Sequence, residues 1–134
     1  MASFWLPAAP GVLTAVRILG ADQSPVPVVN EMPKSRPKQI ILISQVDGSR
    51  PNPVQSIHRL LIECWLSKAL DSSVNIETWC GEVSAALRNS SGHSYNGVFS
   101  YGWGNEQGPV DFPDPDVTDM RRWQFHGDLT LSTK

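Results

Sequence analysis

The sequence has few of the features that would assign it to a common functional class. It contains only two cysteines, Cys64 and Cys80, too few for a disulfide framework. Both fall on predicted apolar faces, and we interpret them as buried free thiols of a reducing compartment. No run of about 18 apolar residues occurs, and the first residues do not resemble a signal peptide, so neither a membrane span nor secretion is expected. The net charge of −2 lacks the basic excess of a nucleic-acid-binding surface.

Motifs for catalysis or ligand binding are also missing. The residues that most often bind metals are too scattered for the paired ligands of a zinc site; they are His58, Cys64, Cys80, His93 and His126. There is no glycine-rich phosphate loop, no nucleophile elbow and no dinucleotide fingerprint. The sequence therefore predicts no catalytic residues, no metal and no cofactor. A small enzyme that uses Cys64 or Cys80 is a distant alternative.

The clearest pattern that is present is a strand followed by a helix. Residues 57–66 alternate between an apolar side and a mixed side; the apolar side comprises His58, Leu60, Ile62, Cys64 and Leu66. A helix predicted over residues 73–89 carries one apolar stripe; it comprises Ile76, Trp79, Cys80, Val83 and Leu87. We expect this stripe to pack on the apolar side of the strand. The mixed side, with Arg59, Glu63 and Trp65, is then left for a covering loop or a neighbouring subunit.

Local signals mark the ends and the interior of the predicted helix. Asp71, Ser72 and Ser73 offer N-cap oxygens, and Gly92 follows the helix where a left-handed residue is wanted. Gly81 weakens the helix, which predicts a close neighbour that needs the space.

The other predicted elements complete a small α+β domain. They are a short helix over residues 11–19, strands over 26–32, 40–46, 95–103 and 121–131, and a long acidic loop over 105–118. Short connections favour antiparallel pairing. We expect one domain spanning residues 1–134, with a single mostly antiparallel sheet of about five strands and two helices packed on one face. Residues 1–10, with Phe4, Trp5 and Leu6, either join the core or form a flexible arm, and the sequence leaves both open.

Tryptophan is abundant for a domain of this size, with five residues. Trp65 lies on the mixed strand side and Trp103 at a predicted strand end. Aromatic residues beside arginine on a partly covered face are typical of protein interfaces, although each tryptophan can equally complete the core. Taken together, the tryptophans favour a subunit that assembles.

Several short motifs resemble, in order and spacing, tail terminator proteins of long-tailed phages that infect actinobacteria. The resemblance covers about residues 10–132. The motifs are the run from Met32 to Ile41, the run from Leu60 to Trp65, Gly108-Pro109, Pro113-Asp114-Pro115, the run from Arg122 to Phe125, and the closing Leu129-Thr130-Leu131. The first helix departs from the family because it is short and lacks the expected longer apolar run.

The resemblance implies a virion protein without catalytic residues or cofactors. Six copies would form a ring at the head-proximal end of the tail tube, stop polymerisation of the major tail tube protein and dock the head-to-tail connector. The ring would assemble in the bacterial cytoplasm and remain at the neck of the virion, and DNA would pass through it without specific binding. The candidate contact residues are Arg36, Trp65, Trp103, Pro113, Asp114, Pro115 and Arg122. The nearest alternative is another neck component, such as a head-to-tail stopper.

Overall fold

Long alternating stretches of the sequence form long strands. In the structure, a computed structural model, residues 8–70 and 72–132 are described. The elements, in chain order, are α1 (Ala8–Asp22), β1 (Val28–Val29), β2 (Gln39–Asn52), β3 (Gln55–Ser67), a 3-10 turn (Lys68–Leu70), α2 (Ile76–Arg88), β4 (Ser94–Tyr95), β5 (Val98–Asp111) and β6 (Met120–Ser132). The predicted α+β class is confirmed.

The strands form one curled, mixed sheet in the order β1-β2-β3-β6-β5-β4. β1 pairs with β2 in parallel, and every other neighbouring pair in this order is antiparallel. The sheet therefore has six strands rather than about five, and it is mixed. The additional strand is β4, which is two residues long and overlaps the single strand predicted over residues 95–103. The mixed character comes from β1, which falls within the strand predicted over 26–32 but is only two residues long and runs parallel to β2. Pro25 and Pro27 flank Val26 and confine β1 to the sheet edge.

The main core lies on one face of the sheet, the inner face, and both helices pack there. The predicted stripe of α2 is buried against the predicted apolar side of β3, together with Leu129 and Leu131 of β6. Val12, Ala15 and Leu19 of α1 belong to the same cluster. This arrangement confirms the core assignment made from the strand and helix periods.

β5 overturns the prediction of a long loop over residues 105–118. It continues to Asp111 and pairs with β6 through Gln107↔His126 and Val110↔Gln124. Three irregularities interrupt its register, and positive φ angles at Asn105 and Gly108 accommodate two of them. These bulges destroy the period-two pattern, which is why the strand was predicted as a loop. The remaining loop covers only residues 112–119.

The helix ends also differ from the predictions. α1 starts at Ala8 and passes Gly20 to end at Asp22, so residues 8–10 of the predicted arm are helical and residues 1–7 lie outside the described part. The N-cap of α2 is Asn75, whose Oδ1 accepts from the backbone N–H of Thr78 at 3.0 Å. The predicted neighbour of Gly81 is wrong, because a Cβ there would have nothing within 4 Å. Gly92 is left-handed, with φ of 84°.

Candidate interaction surface

The face of the sheet turned away from α1 and α2, the outer face, carries the mixed side of β3. Its residues alternate with those of the core and align across β2, β3 and β6 by register. From one end of the sheet to the other, the aligned pairs of β3 and β6 are Trp65–Arg122, Glu63–Gln124, Leu61–His126, Arg59–Asp128 and Ile57–Thr130. The two ends of this face are covered to different degrees.

The end at Trp65 is covered by the chain itself. A second, smaller core forms there from Ile40, Trp65 and Met120. Val29, Met32, Leu42 and Val117 pack against it, so the connector before β2 and the loop over residues 112–119 both contribute. Of the two coverings that the sequence allowed for the mixed side of β3, a loop is the one present at this end. We call this region the closed end.

Arg122 holds the loop of the closed end against the sheet. Its guanidinium lies 5.0 Å from the ring centroids of both Trp65 and Phe112, which places it between two aromatic rings. Its Nε donates to the backbone carbonyl of Phe112 at 2.7 Å, and Nη1 pairs with Glu63 Oε1 at 3.2 Å. The side chains of Arg122 and Glu63 are only 17% and 11% exposed. Arg122 is thus a structural clamp of this chain.

The opposite end of the outer face, the open end, is more accessible. Arg59 Nε pairs with Asp128 Oδ1 at 3.1 Å, and Asn105 Nδ2 donates to Asp128 Oδ2 at 2.9 Å. Beside these groups lies a shallow cavity of about 310 Å³. The residues that line it are Ile57, Tyr101, Gly102, Trp103, Gly104, Asn105, Asp128 and Thr130. Because the charges beside it are already paired, the cavity offers mainly apolar and neutral contacts.

Most of the sequence-predicted contact residues meet at the closed end. Arg36 is exposed in the connector, whose last residue, Lys38, accepts a hydrogen bond from Ser67 N–H. Pro113 and Pro115 are exposed and Asp114 is half-buried in the adjoining loop. These residues therefore belong to the two segments that cover the closed end, the connector through Met32 and the loop through Val117.

Two of the predicted contact residues are not exposed as expected. Trp65 is 5% exposed and belongs to the smaller core. Trp103 is 9% exposed, lies near the open end and belongs to the main core. Of the two roles that the sequence left open for each tryptophan, completing the core of the chain is the one that the structure shows. β6 and the loop over residues 112–119, which are distant in the sequence, bury these side chains. The alternation within one strand does not indicate which distant segments will cover it.

Glu106 is a structural residue that the sequence did not reveal. It accepts hydrogen bonds from Trp103 Nε1 at 2.8 Å and from the hydroxyl of Ser84, and it lies 3.7 Å from the guanidinium of Arg88. It thereby joins β5 to α2. Its position inside a predicted loop hid the strand geometry that aims it at the helix, because the bulge between Gly104 and Gln107 removes the alternation that would have indicated it.

A buried polar chain under α1 was also missed. The hydroxyl of Ser56 lies 2.9 Å from His58 Nε2, and His58 Nδ1 lies 2.7 Å from Gln45 Oε1. Since an amide oxygen can only accept, Nδ1 carries the proton and Nε2 accepts from the serine. Gly11 of α1 packs directly against the imidazole ring. A Cβ atom at this position would lie only 2.4 Å from the ring atoms. His58 and Ser56 are both buried, so this chain serves to seat the helix.

Acid is expected to destabilise the fold through His58. Burial lowers the pKa of His58 to about 4, from 6.5 in an exposed histidine. As the pH falls below 6.5, the unfolded chain binds a proton that the folded chain does not accept. Stability therefore falls between pH 6.5 and 4 by up to about 3 kcal/mol, and below the folded pKa this contribution is constant.

Urea unfolding at several pH values measures this effect. The unfolding free energy of the wild type minus that of His58→Gln should decline as the pH falls from 6.5 to 4. The control His93→Gln, at an exposed histidine, should show the same dependence of stability on pH as the wild type. An unchanged profile for His58→Gln would rule out His58 as the source.

The cysteines lie away from both ends of the outer face. Cys64 and Cys80 are free and fully buried in the main core. Burial, and secondarily the neighbouring Cys80, raises the pKa of the Cys64 thiol well above its usual range. A buried thiol of this kind is a poor nucleophile. Among residues 8–70 and 72–132, no group of three or more potential ligands could hold a metal ion.

Sequence comparisons identify no relatives of the chain. Neither the protein-family models nor the curated proteins yield a match. In the part of the chain that the structure describes, no helix has the length and apolar character to cross a membrane.

Proposed function

We propose that this protein is a tail terminator that forms a hexameric ring on the head-proximal end of a phage tail tube. One observation carries the proposal: motifs far apart in the sequence converge at the closed end. Met32, Trp65 and Arg122 belong to three different motifs of the resemblance, and they lie in or against the smaller core. The Pro113-Asp114-Pro115 motif lies in the loop that Arg122 holds.

The closed end has the properties of a built contact surface. The side chains of Trp65, Glu63 and Arg122 are largely covered by the chain itself, while Arg36, Pro113 and Pro115 are exposed. The clamp therefore fixes the backbone of the loop, and the exposed residues around it are the ones available to a partner. We assign this surface to contact with the tail tube protein or with the head-side connector. On this proposal the chain acts by binding and by assembly, without catalysis. DNA passes through the ring without specific binding.

The proposal is tested first by removing the gene from the phage that encodes the protein. Overlong tails are expected, since a tube without its terminator continues to grow. Tails of normal length that cannot join heads would instead identify a head-to-tail stopper. Normal tails joined to heads would contradict a neck function.

A charge reversal tests the assigned surface in the purified protein. Arg36→Glu, at the closed end, should weaken binding to tail tubes or to the head-side connector by about tenfold, equivalent to about 1.4 kcal/mol, and binding to both partners is measured. Arg50→Glu is the matched control, because Arg50 is also exposed but lies near the tip of the β2–β3 hairpin, far along the sheet from the closed end. Equal loss in both variants, or none in either, would contradict the assignment.

A further inference from the structure

The free edges of the sheet are poorly suited to pairing between subunits. Beyond the two residues that pair with β4, the outer edge of β5 contains three register irregularities and Pro109, which has no N–H to donate. Beyond the residues that pair with β1, the edge of β2 contains further irregularities, Asp47, Arg50 and Pro51. Bulges, charges and prolines are the devices that block edge-to-edge pairing. Contact between copies in a ring is therefore favoured at other surfaces.

The N-terminal end of α1 lies close to the open end. Gly11 lies on the ring of His58, and the next residue of β3, Ile57, lines the cavity on the opposite face. The preceding residues of α1 run to Ala8, and Phe4, Trp5 and Leu6 lie just beyond. This short run is strongly apolar and uncharged, which matches a cavity whose neighbouring charges are paired.

The cavity of its own chain lies on the opposite face of the sheet from α1. The segment before α1 could enter that cavity only by passing around the end of the sheet. The cavity of an adjacent copy is under no such restriction.

We propose that Phe4, Trp5 and Leu6 of one copy dock into the open-end cavity of the next copy. This inference rests on the proposed ring. Arm and cavity are two different surfaces of the same chain, so the contact is head-to-tail and closes into a ring by rotation. Each copy then gives one arm and receives one, and the aromatic anchor enters beside Ile57 and Tyr101.

Disulfide trapping between two different variants tests the docking directly. One variant carries Phe4→Cys, the other Thr130→Cys at the cavity, and the two are mixed and oxidised. A mixed dimer on a non-reducing gel is expected, because only a contact between copies can join them. The native cysteines are buried, so the wild type should remain uncrosslinked. Glu77→Cys, at an exposed site on α2, replaces Thr130→Cys as the matched control and should give no mixed dimer.

The outcomes separate this inference from the proposed function. Absence of the mixed dimer while the protein still forms rings on tail tubes would overturn the docking and leave the function intact. The same holds if a chain carrying both cysteines gives only an internal crosslink. A mixed dimer in a protein that neither forms rings nor binds tubes would support the docking and overturn the function. Joint replacement of Phe4, Trp5 and Leu6 by alanine should abolish ring formation with an unchanged circular dichroism spectrum.

Discussion

Replacing Arg122 with alanine is expected to lower the free energy of unfolding by about 3–5 kcal/mol, the cost of removing one partner of a buried ion pair. Glu63 would keep its charge in a nearly inaccessible site without its partner. The rings of Trp65 and Phe112 would lose the cation between them, and the loop over residues 112–119 would lose the hydrogen bond to its first residue. We expect increased proteolysis of this loop even where the rest of the chain stays folded.

Denaturant unfolding measures the loss, and a double-mutant cycle identifies its source. Adding Glu63→Gln to Arg122→Ala should recover part of the stability, because it removes the stranded charge. Arg36→Ala is the matched control, since Arg36 is exposed, and it should change stability by no more than about 0.5 kcal/mol. A loss below about 1 kcal/mol for Arg122→Ala would show that the clamp is unimportant to the fold.

Replacing Trp103 with alanine should cost the isolated chain about 3–5 kcal/mol, the usual range for truncating a buried aromatic residue. The indole packs edge-on against Phe125, with ring centroids 6.0 Å apart, and its Nε1 donates to Glu106. Gly127 makes room for it, because a Cβ there would lie 2.5 Å from Cζ2 of the indole. The substitution would leave a cavity and deprive Glu106 of a donor.

The control for Trp103 is its exposed neighbour on the same strand. Tyr101→Ala should cost about 1 kcal/mol or less, because Tyr101 is half exposed and its aromatic contact is with Phe99 at the surface. Thermal and denaturant unfolding at low protein concentration measure both variants. Normal stability of Trp103→Ala combined with loss of assembly would show that the residue belongs to an interface and not to the core.

The inner core was predictable because a strand or helix that is buried on one side has apolar residues at a regular spacing in its sequence. β3 alternates and α2 repeats at helical spacing, and each buries the residues that its own pattern indicates. β5 was not predictable in the same way. Its bulges and glycines break the alternation, and the partner that makes it a strand, β6, lies beyond a further loop in the sequence.

The candidate surface was only partly predictable, for a related reason. Alternation placed Trp65 on the mixed side of β3, and the motifs selected Arg122 and the Pro113-Asp114-Pro115 loop. Their stacking depends on the pairing of Trp65 with Arg122 across β3 and β6, residues separated by more than fifty positions in the chain. The alternation of a strand indicates on which face of the sheet a residue lies. Whether that face is covered depends on segments that are distant in the sequence. Trp65 was therefore placed on the correct side of its strand, whereas Trp103, predicted at a strand end, lies inside β5; the structure buries both.

The contact between Gly11 and His58 has a consequence for the segment that precedes α1. Only a residue without a side chain fits against the imidazole, so this contact restricts both the rotation of α1 about its axis and its position along that axis. A single residue inserted between Ala8 and Gly11 would turn the start of the helix by about 100° and displace it by about 1.5 Å. The contact at Gly11 therefore determines the direction in which the chain leaves the start of α1 at Ala8.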